Sequence, residues 1–241
     1  IILPNVRRCR RLKNSTLSNA WQSATTTPMV LLILHLFLYL QSWFATPAEK
    51  IPVVEPVVTI AVLSEAESVY QQLEGCLNKD AFLAAWEGSR ARGYSGYLAI
   101  ADFSQGSDKQ RFYIIDLQQK TLVLQTWVAH GKNSGEKYAE RFSNENASHM
   151  SSPGLYQIGD EFISPKHGPA LLLEGLEKGV NDNARTREII IHGADYVSED
   201  FIETHGRCGR SFGCPALPRE EMATVIRLLS PGSLLYIYTA S

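Results

Sequence analysis

The chain has 241 residues, 44% of them apolar and 20% charged. Those are ordinary fractions for a folded protein, so wholesale disorder is excluded and the length suits one large domain or a domain with appendages. The formal charge of −2 is unevenly spread: residues 1–48 hold five basic residues and no acid, which leaves the remainder with 18 basic against 25 acidic residues. So acidic a body excludes nucleic acid as a main partner, because neutralising phosphates needs a clustered positive face.

Residues 1–48 read as an export signal or anchor with an upstream extension. Arg7, Arg8, Arg10, Arg11 and Lys13 precede the apolar run MVLLILHLFLYL (29–40), and the small residues Ala45, Thr46, Pro47 and Ala48 follow it. That is the order of a basic region, an apolar region and a cleavage site. About a dozen apolar residues fall short of the roughly 20 that span a bilayer; extended through Trp43 and Phe44, the run approaches that length and gives the alternative of a retained anchor. Membrane contact is expected only through this segment. Export would place the mature chain in an oxidising compartment.

Residues 49–63 (with Pro52 and Pro56) read as a tether. Residues 64–93 read as a helical extension. Ala66, Val69, Tyr70, Leu73 and Leu77 recur at helical spacing, and Ser64 with Glu67 has the form of a capping box. Asn78–Arg92 gives a second helix with Phe82, Ala85 and Trp86 on one face.

From Tyr94 the period drops to two. Tyr97–Phe103, Arg111–Leu117 and Thr121–Ala129 are rich in aromatic and β-branched residues and are predicted strands. Later strands are predicted at Gly154–Ile158, Ala170–Leu173, Glu188–His192 and Leu234–Thr239. Pro218–Leu229 is predicted as an amphipathic helix with Met222, Val225, Ile226 and Leu229 inward. The acidic runs Glu199-Asp200 and Glu220-Glu221 read as solvated faces or helix starts. Residues 94–241 are thus expected to form one mainly β domain with a few helices, carrying long loops at 131–154 and 204–213.

Chemistry concentrates in IIIHGADYV (189–197) and GRCGRSFGCPAL (206–217). His192 ends an apolar strand and is rigidly placed. Cys214 lies in the turn Ser211-Phe212-Gly213-Cys214-Pro215, where Gly213 permits close approach of a ligand. A thiol attacks as thiolate, and a neighbouring imidazole can accept its proton and pair with the anion, so Cys214 is expected to titrate below an ordinary thiol. The N–H groups of Gly213 and Cys214 are candidates for holding the oxyanion of an acyl-transfer intermediate.

These blocks resemble the murein L,D-transpeptidase catalytic domain family of bacterial cell walls. The resemblance rests on His192-Gly193 followed by Ser211-Phe212-Gly213-Cys214. It continues through VAHGKNSG (128–135), FSNENASHMSSPGLY (142–156) and LEGLEKGVNDNA (173–184), and so covers residues 94–240. It implies a β-sandwich-like catalytic domain, with Cys214 as acyl-accepting nucleophile, His192 as base and then acid, and the Gly193 carbonyl orienting the imidazole. It implies attack on the bond between the third stem residue of peptidoglycan, usually diaminopimelate, and the fourth, D-alanine. An amine acceptor then captures the thioester, in the periplasm or cell envelope, and no metal or organic cofactor is needed. Carbapenem-type inhibitors are expected to acylate Cys214. Two departures concern acceptor and substrate preference: many relatives carry His where Phe212 stands and Arg where Ala216 stands.

Candidate substrate contacts are His130, His149, Ser211, Arg210 and Tyr156. His130 and His149 could equally stabilise their loops, Ser211 could bond within its turn, and Tyr156 could be packing. Cys208 could pair with Cys76, trap Cys214 or stay a free thiol. A zinc site at His192, His205, Cys208 and Cys214 is the rival chemistry; paired motifs such as Cys-x2-Cys are missing. Two other functions remain open: an L,D-carboxypeptidase or endopeptidase hydrolysing the same bond, and a non-catalytic wall-binding module.

Overall fold

A strand whose side chains are apolar on both parities must be covered on both faces. Strands β1 (Tyr97–Asp102) and β2 (Phe112–Asp116) are of this kind. Leu98, Ile100, Tyr113 and Ile115 share one core with Leu155, Leu234 and the first two helices. Their alternates Ala99, Ala101, Phe112 and Ile114 share another with Tyr156, Ile158, Leu171, Ile191, Leu217 and Leu235. The structure, a computed structural model, describes residues 57–241 apart from 74, 230 and 241, with side chains from Glu65 onward. The export segment, most of the tether and Cys9 therefore lie outside the described residues.

The remaining elements are α1 (Val57–Gln72), α2 (Lys79–Ala91), β3 (Thr121–Thr126), β4 (Gly154–Ser164), β5 (Gly168–Gly175), β6 (Ile190–Gly193), α3 (Glu199–His205), β7 (Ala216–Leu217), α4 (Met222–Leu228) and β8 (Leu234–Tyr238). One eight-stranded sheet runs β3-β2-β1-β8-β4-β5-β6-β7. The β1–β8 and β6–β7 pairs are parallel and the others antiparallel. Strands from both ends of this order feed the same core, so the sheet curls around it. The expected mainly β, sandwich-like domain with a few helices is what forms.

The helices α1 and α2 cover the outer face. Ala66, Val69, Leu73, Leu77, Phe82, Ala85 and Trp86 are all buried there, on the faces that the sequence periodicity marks. Asn78 caps α2 by accepting from the Asp80 and Ala81 N–H groups.

Several boundaries differ from expectation. The first helix begins at Val57, inside the stretch read as tether, so Ser64 lies within it and is no cap. Glu67 instead pairs with Lys79 of α2 at 2.5 Å. Strand β4 runs on to Ser164 because its outer half pairs with β5 across a bulge between Ile158 and Glu161. The helix expected at Pro218–Leu229 divides into a 3-10 turn at Arg219–Glu221 and α4. Its inward set holds: Met222, Val225 and Leu229 are buried, and Ile226 packs against them. The run Glu199-Asp200 does start a helix, α3, which Ser198 caps.

Strand β3 stops at Thr126, three residues early, because the chain then leaves the hairpin. Ala129 bonds to Ala216 in both directions, Lys132 N–H donates to the Ser211 carbonyl, and Ser211 N–H to that of His130. This loop is held from beneath by Arg111, which has no solvent exposure. Its Nε and Nη2 donate to the Val128 carbonyl at 3.2 and 3.0 Å, Nη1 to Gln105 O at 2.6 Å, and Nη2 to His130 Nδ1 at 2.8 Å. Burial lowers the guanidinium pKa to about 10, so it stays charged at neutral pH. Arg111→Met would strand two carbonyls and an imidazole nitrogen, and is expected to cost about 3 kcal/mol of stability in urea unfolding. An unchanged midpoint would mean that the network contributes nothing.

Candidate active site

The register of two short strands builds the site. β7 lies parallel to β6 with Ala216 beside His192 and Leu217 beside Gly193. Two residues back from Ala216, Cys214 stands just off the end of β7 and on the side of Ile190, whose N–H reaches the sulfur. Ile190 and His192 are two apart on one strand and share a face. Cys214 and His192 consequently line one cavity of about 910 Å³, together with His149, His167, Tyr196, Arg210 and Phe212 among others. That volume suits a peptide-sized ligand.

His192 is 2% exposed. Its Nδ1 lies 3.0 Å from the Gly193 carbonyl, which can only accept, so Nδ1 carries the proton and Nε2 is left as the base. Burial lowers the imidazole pKa to about 4, against the Gly193 bond and with help from His167, Arg219 and Lys166. The His167 ring packs against it at a tilt of 31°, centroids 3.8 Å apart, and is itself pushed below the usual imidazole range by burial and by Lys166 and Arg219.

Cys214 is half-buried, and its thiol points to the Glu188 carbonyl at 3.7 Å. Burial pushes the thiol up. The Ile190 N–H, the Arg187 charge and its own N–H oppose that, and Glu188 adds to it. The resting pair is therefore a thiol and a neutral imidazole. The expectation of a depressed thiol pKa is reversed, because the walls that exclude water disfavour both charged forms.

The turn accounts for two further expectations. Ser211 Oγ donates to the Cys214 carbonyl at 2.6 Å and accepts from Gly213 N–H at 3.0 Å, so the hydroxyl belongs to the turn although the residue borders the cavity. Gly213 N–H is thereby engaged, which leaves the Cys214 N–H, turned toward its own sulfur, as the donor of the pair proposed for an oxyanion. Gly213 has φ 126°, and a Cβ would meet the Met150 carbonyl at 2.8 Å and Arg187 Nη2 at 3.2 Å. The close approach that demands glycine is to its own protein, not to a ligand.

Of the candidate substrate contacts, His149 and Arg210 line the cavity. His149 stacks on Phe212, centroids 4.5 Å apart, and Arg210 pairs with Glu136 at 2.6 Å. Two candidates do not reach it. Tyr156 is wholly buried, and its hydroxyl donates to Ser152 O at 2.9 Å. His130 is wholly buried too; with Nδ1 accepting from Arg111, its Nε2 donates to Gly135 O at 3.3 Å, so it holds the loop. Burial and the Arg111 charge lower its pKa to about 4. Arg187 and His167, which also line the cavity, are not among the residues marked from sequence, since each lies in a short polar turn with no motif of its own.

Cys76, Cys208 and Cys214 are all free. Cys208 is buried and donates to Ser107 O, with its pKa raised to about 12 by burial, so it neither pairs with Cys76 nor traps Cys214. The four residues of the rival zinc site are dispersed: His205 is exposed on α3 and stacks on Phe201, while Cys208 lies in the core.

Residues 74–238, more than half of the chain, match the family described as L,D-transpeptidase catalytic domain. This chain belongs to that family. Solved L,D-transpeptidases are similar to it at low identity. One from Mycobacterium smegmatis is 13% identical, covers 61% of this chain and 60% of its own, and has a TM-score of 0.39. One from Stackebrandtia nassauensis is 14% identical over 73% of this chain and 77% of its own, TM-score 0.37. A third, in complex with imipenem, is 12% identical over 60% of each chain, TM-score 0.36. The chain spans about three fifths of the length of the first of these. No curated protein matches it. The L,D-transpeptidase domain thus includes α2 and all eight strands, and begins before the residue 94 at which the sequence blocks start.

Proposed function

We propose that this L,D-transpeptidase domain is a cysteine acyltransferase acting on peptidoglycan stem peptides. The observation that carries the reading is that Cys214 and His192 line one cavity with the imidazole proton fixed on Nδ1, so that Nε2 is free to take the thiol proton. The sulfur then adds to the carbonyl carbon of the third stem residue, usually diaminopimelate. The carbon–nitrogen bond to D-alanine breaks as His192 returns the proton to the leaving amine. An acceptor amine attacks the thioester, gives its proton to His192, and regenerates the thiol. Water in place of the amine gives the L,D-carboxypeptidase outcome. The Cys214 N–H is the donor that remains for the oxyanion. Lys166 also lines the cavity, a cation that suits a peptide bearing a free carboxylate, whereas Arg185 and Arg210 there are paired with Glu174 and Glu136.

Incubation with stem tetrapeptides separates the outcomes. Crosslinked dimers with release of D-alanine are expected; tripeptide alone would assign hydrolysis, and no turnover of either kind would overturn the reading. A carbapenem is expected to leave one acyl adduct on Cys214, read by intact mass and peptide mapping. We also propose export through the apolar run at 29–40. Among the described residues no helix is long and apolar enough to cross a membrane. Fractionation of the full chain tests this, and a cytoplasmic pool alone would overturn it.

A further inference from the structure

Arg187 stands at the end of the polar run Asn181 to Arg187, just before the strand expected at Glu188–His192. It is half-buried at the cavity wall, and its guanidinium is spent on one segment. Nη1 donates to Ser143 O at 2.8 Å and Ser152 Oγ at 2.5 Å; Nη2 donates to Met150 O at 2.5 Å and Ser148 Oγ at 3.3 Å. The same segment grips the nucleophile turn from the other side, because Ser151 Oγ donates to the Gly213 carbonyl at 3.1 Å. Nη2 comes within 3.2 Å of where a Gly213 Cβ would stand, one residue from the nucleophile. A five-donor planar cation has thus been fixed in place by neutral acceptors, with no carboxylate paired to it among the described residues.

We propose that Arg187 is the positioning residue of the nucleophile: the 143–152 segment holds its charge beside the Gly213-Cys214 turn, where it stabilises the thiolate that forms when His192 takes the proton. The proposal rests on Cys214 being the nucleophile. It explains how a water-poor wall that favours the neutral thiol still permits the anion: the compensating charge is fixed in advance and needs no reorganisation when the proton leaves. Glu188 and its carbonyl face the sulfur from the β6 approach and disfavour the anion, His192 on β6 is neutral, and the Tyr196 phenol in the same cavity is pushed up by burial and by the Cys214 charge and stays neutral. Arg187 lines the same cavity as the sulfur, and its charge works against the burial that pushes the thiol up.

The test reads the thiol itself, without substrate. Iodoacetamide alkylation of Cys214 is followed against pH by peptide mapping, with exposed Cys76 as internal control. Arg187→Gln and Arg187→Met, each checked for folding by thermal melting, are expected to raise the Cys214 midpoint by about half a unit to one unit and to slow alkylation at pH 8 about three- to tenfold. Arg187→Lys, which keeps the charge, is expected to stay within about twofold of wild type. In the wild-type chain alone, anionic iodoacetate is expected to be favoured over iodoacetamide more strongly at Cys214 than at Cys76. A midpoint unmoved in both neutral variants, a lysine variant displaced as far as they are, or a reagent preference equal at the two cysteines would overturn the proposal. Loss of stem turnover in wild type with the midpoint shift intact would overturn the substrate reading and leave this one supported.

Discussion

Cys214→Ala is expected to abolish acyl-adduct formation and stem-peptide turnover, and His192→Gln to lower kcat/KM by about a hundredfold to ten-thousandfold. The asymmetry follows from the site. Alanine removes the atom that forms the thioester, whereas glutamine removes only the proton acceptor and leaves the turn intact. The Cys214 turn is braced by Ser211 Oγ on two sides, so neither change should unfold it. Because both partners rest neutral, wild-type alkylation of Cys214 is expected to titrate above an ordinary thiol's pKa of about 8.5. Intact mass after carbapenem exposure and steady-state kinetics on a tetrapeptide check the first pair of effects. A Cys214→Ala protein with its cellular effect intact would favour the wall-binding module over the enzyme.

The parts of this architecture that were legible from sequence are those that local chemistry determines. β1 and β2 announce themselves because both parities are apolar over five or six residues, and α2 because Asn78 caps an amphipathic face. β7 was not legible. It is two residues long, and its existence depends on lying beside β6 and accepting Ala129 from a loop almost ninety positions away. α3 buries no residue, so it has no periodicity to read, and only the Ser198 cap and its acidic first turn point to it. The nucleophile and base were legible because each sits in a short block of its own. Their supports were not. Nothing in NDNARTRE separates Arg187 from Arg185, yet Arg185 is exposed on Glu174 while Arg187 faces the turn. His130 misleads for the same reason: its partner Arg111 lies just before β2, 19 positions earlier, and only the fold brings them together.

The same enclosure that shapes catalysis should make the protein sensitive to acid. His130 and His192 both have folded pKa values lowered to about 4 from 6.5, chiefly by burial. Between those values the unfolded chain binds more protons than the folded one, so stability rises with pH across the window. It is at its full value above about 6.5 and is lost as pH falls through about 4. Each shift corresponds to something on the order of 3 kcal/mol, so the two together should remove roughly 6 kcal/mol between pH 7 and pH 4, a large share of a domain's net stability. Urea unfolding at intervals across that range measures it. His130→Asn, whose amide oxygen can take the place of Nδ1 and still accept from Arg111 although its shorter side chain gives up the bond to Gly135 O, should flatten the slope by about half while leaving carbapenem acylation in place. A flat stability profile in the wild-type protein would mean that these imidazoles accept protons without cost, and the neutral resting state of His192 would go with it.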